Sequence, residues 1–194
     1  ITSIGQSHLE HFGSVAGVAA EKAVLFESLP DSGFAVVPVE TECSDALLSK
    51  VHCQCKTFAV GKQADISAAN IRFDDGNATF DAWQVHFDLP ISGRHNVGNV
   101  LAAVAMADHL GINPAESAEA LARFGGVAGR LQIRQCGGLR VIDDTYNANP
   151  ASLKAAAQTI MDIPADRRVV IVGDMLELGA QSQKLHRECG ISLA

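Results

Sequence analysis

The chain has 194 residues, 47% of them hydrophobic and 19% charged, a globular composition with enough apolar material for one ordinary domain and part of a second. Its net charge of -7 comes with no offsetting basic stripe and argues against a nucleic-acid partner. A nucleotide is still allowed, since a few local cations and backbone N–H groups hold phosphates. No apolar run reaches the roughly 18 residues of a membrane span, and the first ten residues lack the basic start and apolar block of a signal peptide.

In chain order, residues 1–4 read as the end of a buried strand. A helix begins after Ser14, a natural cap, and carries Val15, Val18, Ala19, Lys22, Phe26 and Leu29 at helical spacing. Pro30-Asp31-Ser32-Gly33 turns the chain into buried strands at 34–39 and 56–60. Residues 66–73 and 78–83 form the arms of a hairpin around Asp74-Asp75-Gly76-Asn77, and 85–89 make a further strand. Helix returns after Gly93 with Val97, Val100, Leu101 and Val104 on its apolar face, and Gly111 ends it. Pro114 opens a short helix through Leu121 to Phe124. The glycine-rich join at 125–129 is the domain boundary, dividing the chain into 1–128 and 129–194. Beyond it come a hairpin over 131–142 turning at Gly137-Gly138, a helix over 150–161 and an apolar strand over 169–172. This β-α-β order predicts an open parallel sheet with ligands outside the carboxyl ends of its strands.

The five cysteines (Cys43, Cys53, Cys55, Cys136, Cys189) are odd in number and irregularly spaced, which points away from disulfides and towards a reducing cytoplasm. His52, Cys53 and Cys55 lack the second ligand pair that a structural zinc site needs. The chain opens on Ile1 and closes in a helix-like stretch at 192–194, so both ends read as cuts.

Lys22 is the most informative single position. It shares the apolar stripe of its helix with Ala19 and Phe26, where a hydrated ammonium is costly. It is either a lysine snorkelling from the stripe's edge or a partly buried amine able to take up carbon dioxide as a carbamate. The carbamate would be an oxygen ligand for a hard metal. His8 follows the first strand, at the kind of edge where sheet proteins place ligands, although a lone loop histidine is more often a plain surface residue. Asn96 and Asn99 share a face at a helix start, where an amide can match the edge of adenine or Asn96 can cap the helix. Gly98 between them leaves room for a flat ring. Arg130 after the join could clamp a phosphate. Asp143-Asp144-Thr145-Tyr146-Asn147-Ala148-Asn149 sets hydrogen-bonding side chains between a strand and a helix start. Gly173-Asp174-Met175-Leu176-Glu177-Leu178-Gly179 repeats the pattern, with acids that could hold a metal, a ribose or an amine.

Taken in order, these segments resemble the Mur ligase family. The carriers are Ile4, Gly5, His8, Leu9, Glu10, then Phe12-Gly13-Ser14, Glu21-Lys22-Ala23 with Phe26, and Gly93-Arg94-His95-Asn96 with Asn99. Gly129-Arg130-Leu131 and the two segments at 143–149 and 173–179 complete the set, and those last two resemble the branch that handles D-alanyl-D-alanine. The resemblance implies an α/β fold, part of a P-loop-type central domain followed by the start of a Rossmann-like C-terminal domain. It also implies an ATP-dependent ligase of peptidoglycan synthesis in the cytoplasm, joining D-alanyl-D-alanine to UDP-N-acetylmuramoyl-tripeptide through an acyl phosphate. His8 would be a magnesium ligand and Lys22 the carbamylated lysine. Asn96 and Asn99 would face adenine, Arg130 the ATP phosphates and Asp144 the ribose. Tyr146, Asn147 and Asn149 would lie towards the incoming amine. The sequence departs from the family in lacking the Gly-x-x-Gly-Lys-[Thr/Ser] phosphate loop, so the 194 residues alone are expected to be inactive. A folylpolyglutamate or cyanophycin synthetase-like ligase and a non-catalytic nucleotide-binding module are the alternative readings.

Overall fold

The structure, a computed structural model, describes residues 1–193. The first helices are α1 (Leu9–Phe12) and α2 (Val15–Glu27), and the Ser14 hydroxyl caps α2 by accepting from the Gly17 N–H at 3.1 Å. Strands β1 (Phe34–Pro38), β2 (Gln54–Ala59) and β3 (Ile66–Ser67) form a parallel sheet in that order, with α3 (Ser44–Leu48) crossing between the first two. Alternate residues of β1 serve opposite faces, as a strand's period of two requires. Val36 packs with Phe58, Val97 and Leu101 on one side, while Ala35 and Val37 pack with Val18, Ala19 and Phe26 on the other. The sheet is therefore buried on both faces, the usual state of parallel strands.

An antiparallel sheet follows, with β4 (Ala69–Asp74), β5 (Asn77–Ala82) and β6 (Val85–Leu89) in order. Its core is the fully buried pair Phe80 and Phe87, stacked at 4.9 Å. Helix α4 (Arg94–His109) carries Val97, Val100, Leu101 and Val104 into the same cluster, and α5 (Pro114–Leu121) packs on β6 after an Asn113 cap. The last segment holds the hairpin β7 (Gln132–Cys136) and β8 (Leu139–Asp143), then α6 (Pro150–Asp162), a 3-10 turn at Gly179–Gln181 and α7 (Ser182–Leu193). Among the described residues no helix is long and apolar enough to cross a membrane.

Four expected elements come out differently. Residues 1–4 form no strand: the Ile1 amino group reaches the Val36 carbonyl at 3.4 Å, and Ile4 exchanges its backbone bonds with the Thr41 hydroxyl instead of a neighbouring strand. The first arm of the hairpin splits into β3 and β4, because Ile66 and Ser67 pair with β2 while Ala69 onwards pairs with β5. The helix opened by Pro114 stops at Leu121, short of Phe124. Residues 169–172 are no strand at all. An inner parallel strand needs ladders on its flanks, yet β7 and β8 pair only with each other, and Ile171 is left 94% exposed.

Candidate functional site

The carboxyl ends of β1 and β2 meet the start of α4. Glu40, just past β1, accepts from the Val60 N–H at 2.5 Å and the Gly61 N–H at 2.7 Å, and Arg94 on the first turn of α4 stands 3.9 Å from the same carboxylate. Sequence reasoning missed Glu40; an acid directly after a buried strand is the local signal that could have found it. Gly93 at φ 103 is the N-cap of α4 and makes no side-chain cap bond, so Asn96 is not the cap. Its amide instead donates back to the Ser92 carbonyl at 2.7 Å, and Asn99 lies 3.5 Å from the Asn96 oxygen. The two amides do share one face, with Asn99 exposed. Gly98 does not open that face. It turns inward, where an added Cβ would touch Val60 at 3.4 Å and Phe58 at 3.8 Å, so its small size serves the core.

The C-terminal segment closes over this region. The Asp144 carboxylate accepts from the Leu131 N–H at 3.1 Å, and the Tyr146 N–H donates to the Gly129 carbonyl at 3.1 Å, knitting 129–131 to 144–146. The Arg130 guanidinium lies over the exposed Tyr146 ring at 4.0 Å, a cation–π contact that also fixes the arginine's position. Across from them, desolvation by crowding holds the His95 imidazole below its ordinary pKa, and the Asp144 carboxylate nearby opposes that shift. The Asp144 carboxylate thus lies near enough to act on His95, a pairing that sequence reasoning did not assign. Asn147 is exposed and bonds the neighbouring Ala148 N–H at 2.9 Å. Asn149 has a structural role at the start of α6. It caps that helix, accepting from the Ser152 N–H at 2.9 Å while the Ser152 hydroxyl accepts from the Asn149 N–H at 3.0 Å.

On the other flank of the sheet, His8 starts α1 at φ 55 and its Nδ1 contacts the Glu177 carboxylate, joining motifs that lie 169 positions apart. The Glu177 carbonyl also accepts from the Glu10 N–H at 3.0 Å, and Met175 and Leu178 are buried beside Ile4, Leu9 and Val18. Lys22 is exposed, contrary to a partly buried position. The buried face of α2 is Val18, Ala19, Ala23 and Phe26, and Lys22 sits on its rim. With Ile1, Thr2, Ser3, Glu21 and Leu25 it lines an open cleft of about 470 Å³. The arrangement thus offers amides, a guanidinium and a carboxylate by α4 and the 129–146 segment, an imidazole and a carboxylate at α1, and a lysine in a cleft that neither His8 nor Glu177 lines.

Comparison with known proteins bears on this arrangement. Residues 1–107 match the family model of the Mur ligase middle domain, and residues 129–194 that of the Mur ligase glutamate ligase domain. The chain is 34% identical over 194 residues to the UDP-N-acetylmuramoyl-tripeptide–D-alanyl-D-alanine ligase of Bacillus subtilis, a match covering 98% of this chain and 42% of that protein. The fold is similar to a crystal structure of MurF from Acinetobacter baumannii with a TM-score of 0.94 and 33% identity, covering all of this chain and 43% of that one. It is also similar to MurF ligase from Thermotoga maritima in complex with ADP, with a TM-score of 0.84 and 25% identity over 98% of this chain and 44% of that one. The chain spans 42–44% of the length of these relatives.

Proposed function

The chain belongs to the Mur ligase family, and we propose that the whole protein uses ATP to join D-alanyl-D-alanine to UDP-N-acetylmuramoyl-tripeptide. The observation that carries the reading is the meeting of the distant motifs: His8 contacts Glu177, and Asp144 lies near enough to His95 to act on it. Segments 1–128 and 129–194, which we take as its two domains, thus meet at both places. The likeness to a D-alanyl-D-alanine ligase over 98% of the chain supports the choice of amine.

In the proposed reaction a carboxylate oxygen of the tripeptide attacks the γ-phosphorus of ATP. The bond to the leaving ADP oxygen breaks, and an acyl phosphate forms. The dipeptide amine then attacks the acyl carbon, phosphate leaves, and the nitrogen loses a proton to give the amide. Asn96 and Asn99 hold the adenine edge, Arg130 the phosphates and Asp144 the ribose. Tyr146 and Asn147 lie towards the amine, with Asn149 setting their loop through its cap on α6. Positioning and charge neutralisation do most of the work in phosphoryl transfer.

The donor chemistry fits a magnesium ion. His8 passes Nδ1 to a carboxylate, as metal-ligating histidines commonly do, and Nε2 has no hydrogen-bond partner among the described residues. As a carbamate, the form the family resemblance implies, Lys22 would add an oxygen donor. Among the described residues no three His, Cys, Asp or Glu side chains gather, so the protein would supply few of the ion's ligands. When bound, magnesium would neutralise phosphate oxygens. The test is oxygen tracing in the full-length protein: ¹⁸O placed in the reacting carboxylate of UDP-N-acetylmuramoyl-tripeptide should appear in inorganic phosphate. Ligation without that transfer would overturn the acyl phosphate.

A further inference from the structure

Glu177 makes two contacts at once. Its carboxylate holds the His8 Nδ1, and its backbone carbonyl accepts from the Glu10 N–H at 3.0 Å two residues further on. Two freely moving surface side chains would fix nothing, but here both backbones are pinned. His8 at φ 55 opens α1, and Glu177 at φ 61 is flanked by the buried Met175 and Leu178. Gly179 lies so close that an added Cβ would stand 3.1 Å from the Glu10 Cα. Both side chains remain about half exposed, so the ring is held and still open to a ligand.

We infer that Glu177 is a positioning residue for His8. Its carboxylate takes the Nδ1 proton as a hydrogen bond, fixes the tautomer with a bare Nε2, and delivers that setting only when 173–179 is docked on α1. The inference rests on the reading of His8 as a magnesium ligand. In metal sites, losing such an outer partner typically lowers metal affinity or activity by about 10–100-fold.

The test uses the full-length protein with ¹⁵N-labelled histidine, His8→Ala serving to assign the His8 ring signals. Wild type should show a single tautomer protonated at Nδ1. Glu177→Ala should lose it and raise the magnesium concentration needed for half-maximal ligation by about 10–100-fold, with the KM for D-alanyl-D-alanine unchanged. Glu177→Gln, which keeps an acceptor oxygen, should recover most of both. Gly179→Val, which leaves His8 and Glu177 in place but forces the segment off α1, should also lose the tautomer. An unchanged tautomer in Glu177→Ala, or a change confined to the dipeptide's KM, overturns the positioning role. A kept tautomer in Gly179→Val overturns the coupling to docking. An unaltered magnesium requirement in His8→Ala overturns the metal-ligand reading beneath it, and is read independently of the Glu177 variants.

Discussion

Removing the Glu40 side chain should loosen the sheet edge beside α4 by a calculable amount. The Val60 N–H is bonded to the Glu40 carboxylate at 2.5 Å, and Val60 is 8% exposed, so water does not readily replace the lost acceptor. A hydrogen bond to a charged group contributes about 1.5–3 kcal/mol, which puts Glu40→Ala at about 2 kcal/mol locally. Gly61 is exposed and can bond water instead, and the 3.9 Å contact with Arg94 adds little at a half-open site. Glu40→Gln keeps a neutral acceptor of roughly half the strength and should cost about 1 kcal/mol. Native-state amide exchange of the full-length protein reads this residue by residue. The Val60 amide should exchange about 30-fold faster in Glu40→Ala and about fivefold faster in Glu40→Gln, with Gly61 changing less. A Val60 rate unchanged in Glu40→Ala would refute the reasoning, since no other acceptor would then be missing.

Phe80→Ala should destabilise the middle segment by about 3–5 kcal/mol, because Phe80 is fully buried and stacks on Phe87; chemical denaturation would measure it. Asn149→Ala should cost α6 about 1 kcal/mol in the exchange of its first-turn amides, and Asn149→Asp should restore the cap. If the alanine variant instead leaves exchange untouched and raises only the KM for the dipeptide, Asn149 is a substrate residue and not a cap. Hydrogen bonds from the Thr57 backbone and hydroxyl hold the Asp65 carboxyl below its ordinary pKa. A depressed folded value stabilises above the unfolded value of about 4, and that stability is lost as pH falls through the folded value. Thr57→Val loses the hydroxyl bond but keeps the backbone bond, the larger cause, so it should flatten the acid side of the stability profile only in part, and an unchanged profile would show that the hydroxyl contributes nothing to it.

What could be read from the sequence was local. The Ser14 cap, the apolar face of α4 and the Gly137-Gly138 hairpin all rest on spacings of a few residues, and each forms as patterned. Residues 169–172 failed because an apolar run reports a wish to be buried and says nothing of whether partner strands lie alongside. For Lys22 the spacing left two readings open, and the structure favours the lysine at the stripe's edge, since α2 buries a narrower face centred on Val18, Ala19 and Ala23. Gly98 was read towards the ligand when it serves the contact with Val60. Glu40 apart, the motifs of the candidate site were visible, but their pairing was not. His8 and Glu177 are 169 positions apart, and the packing of Met175 and Leu178 with Leu9, together with the Glu10 N–H bond to the Glu177 carbonyl, brings them together.

The most direct test of the proposed ligase is product formation by the full-length protein. It would be given UDP-N-acetylmuramoyl-tripeptide, ATP and magnesium with a panel of amines, and the products weighed by mass spectrometry. The account predicts a pentapeptide product and ADP with D-alanyl-D-alanine, and little or no product with single amino acids. Efficient ligation of glutamate or another single amino acid, with D-alanyl-D-alanine left untouched, would contradict it.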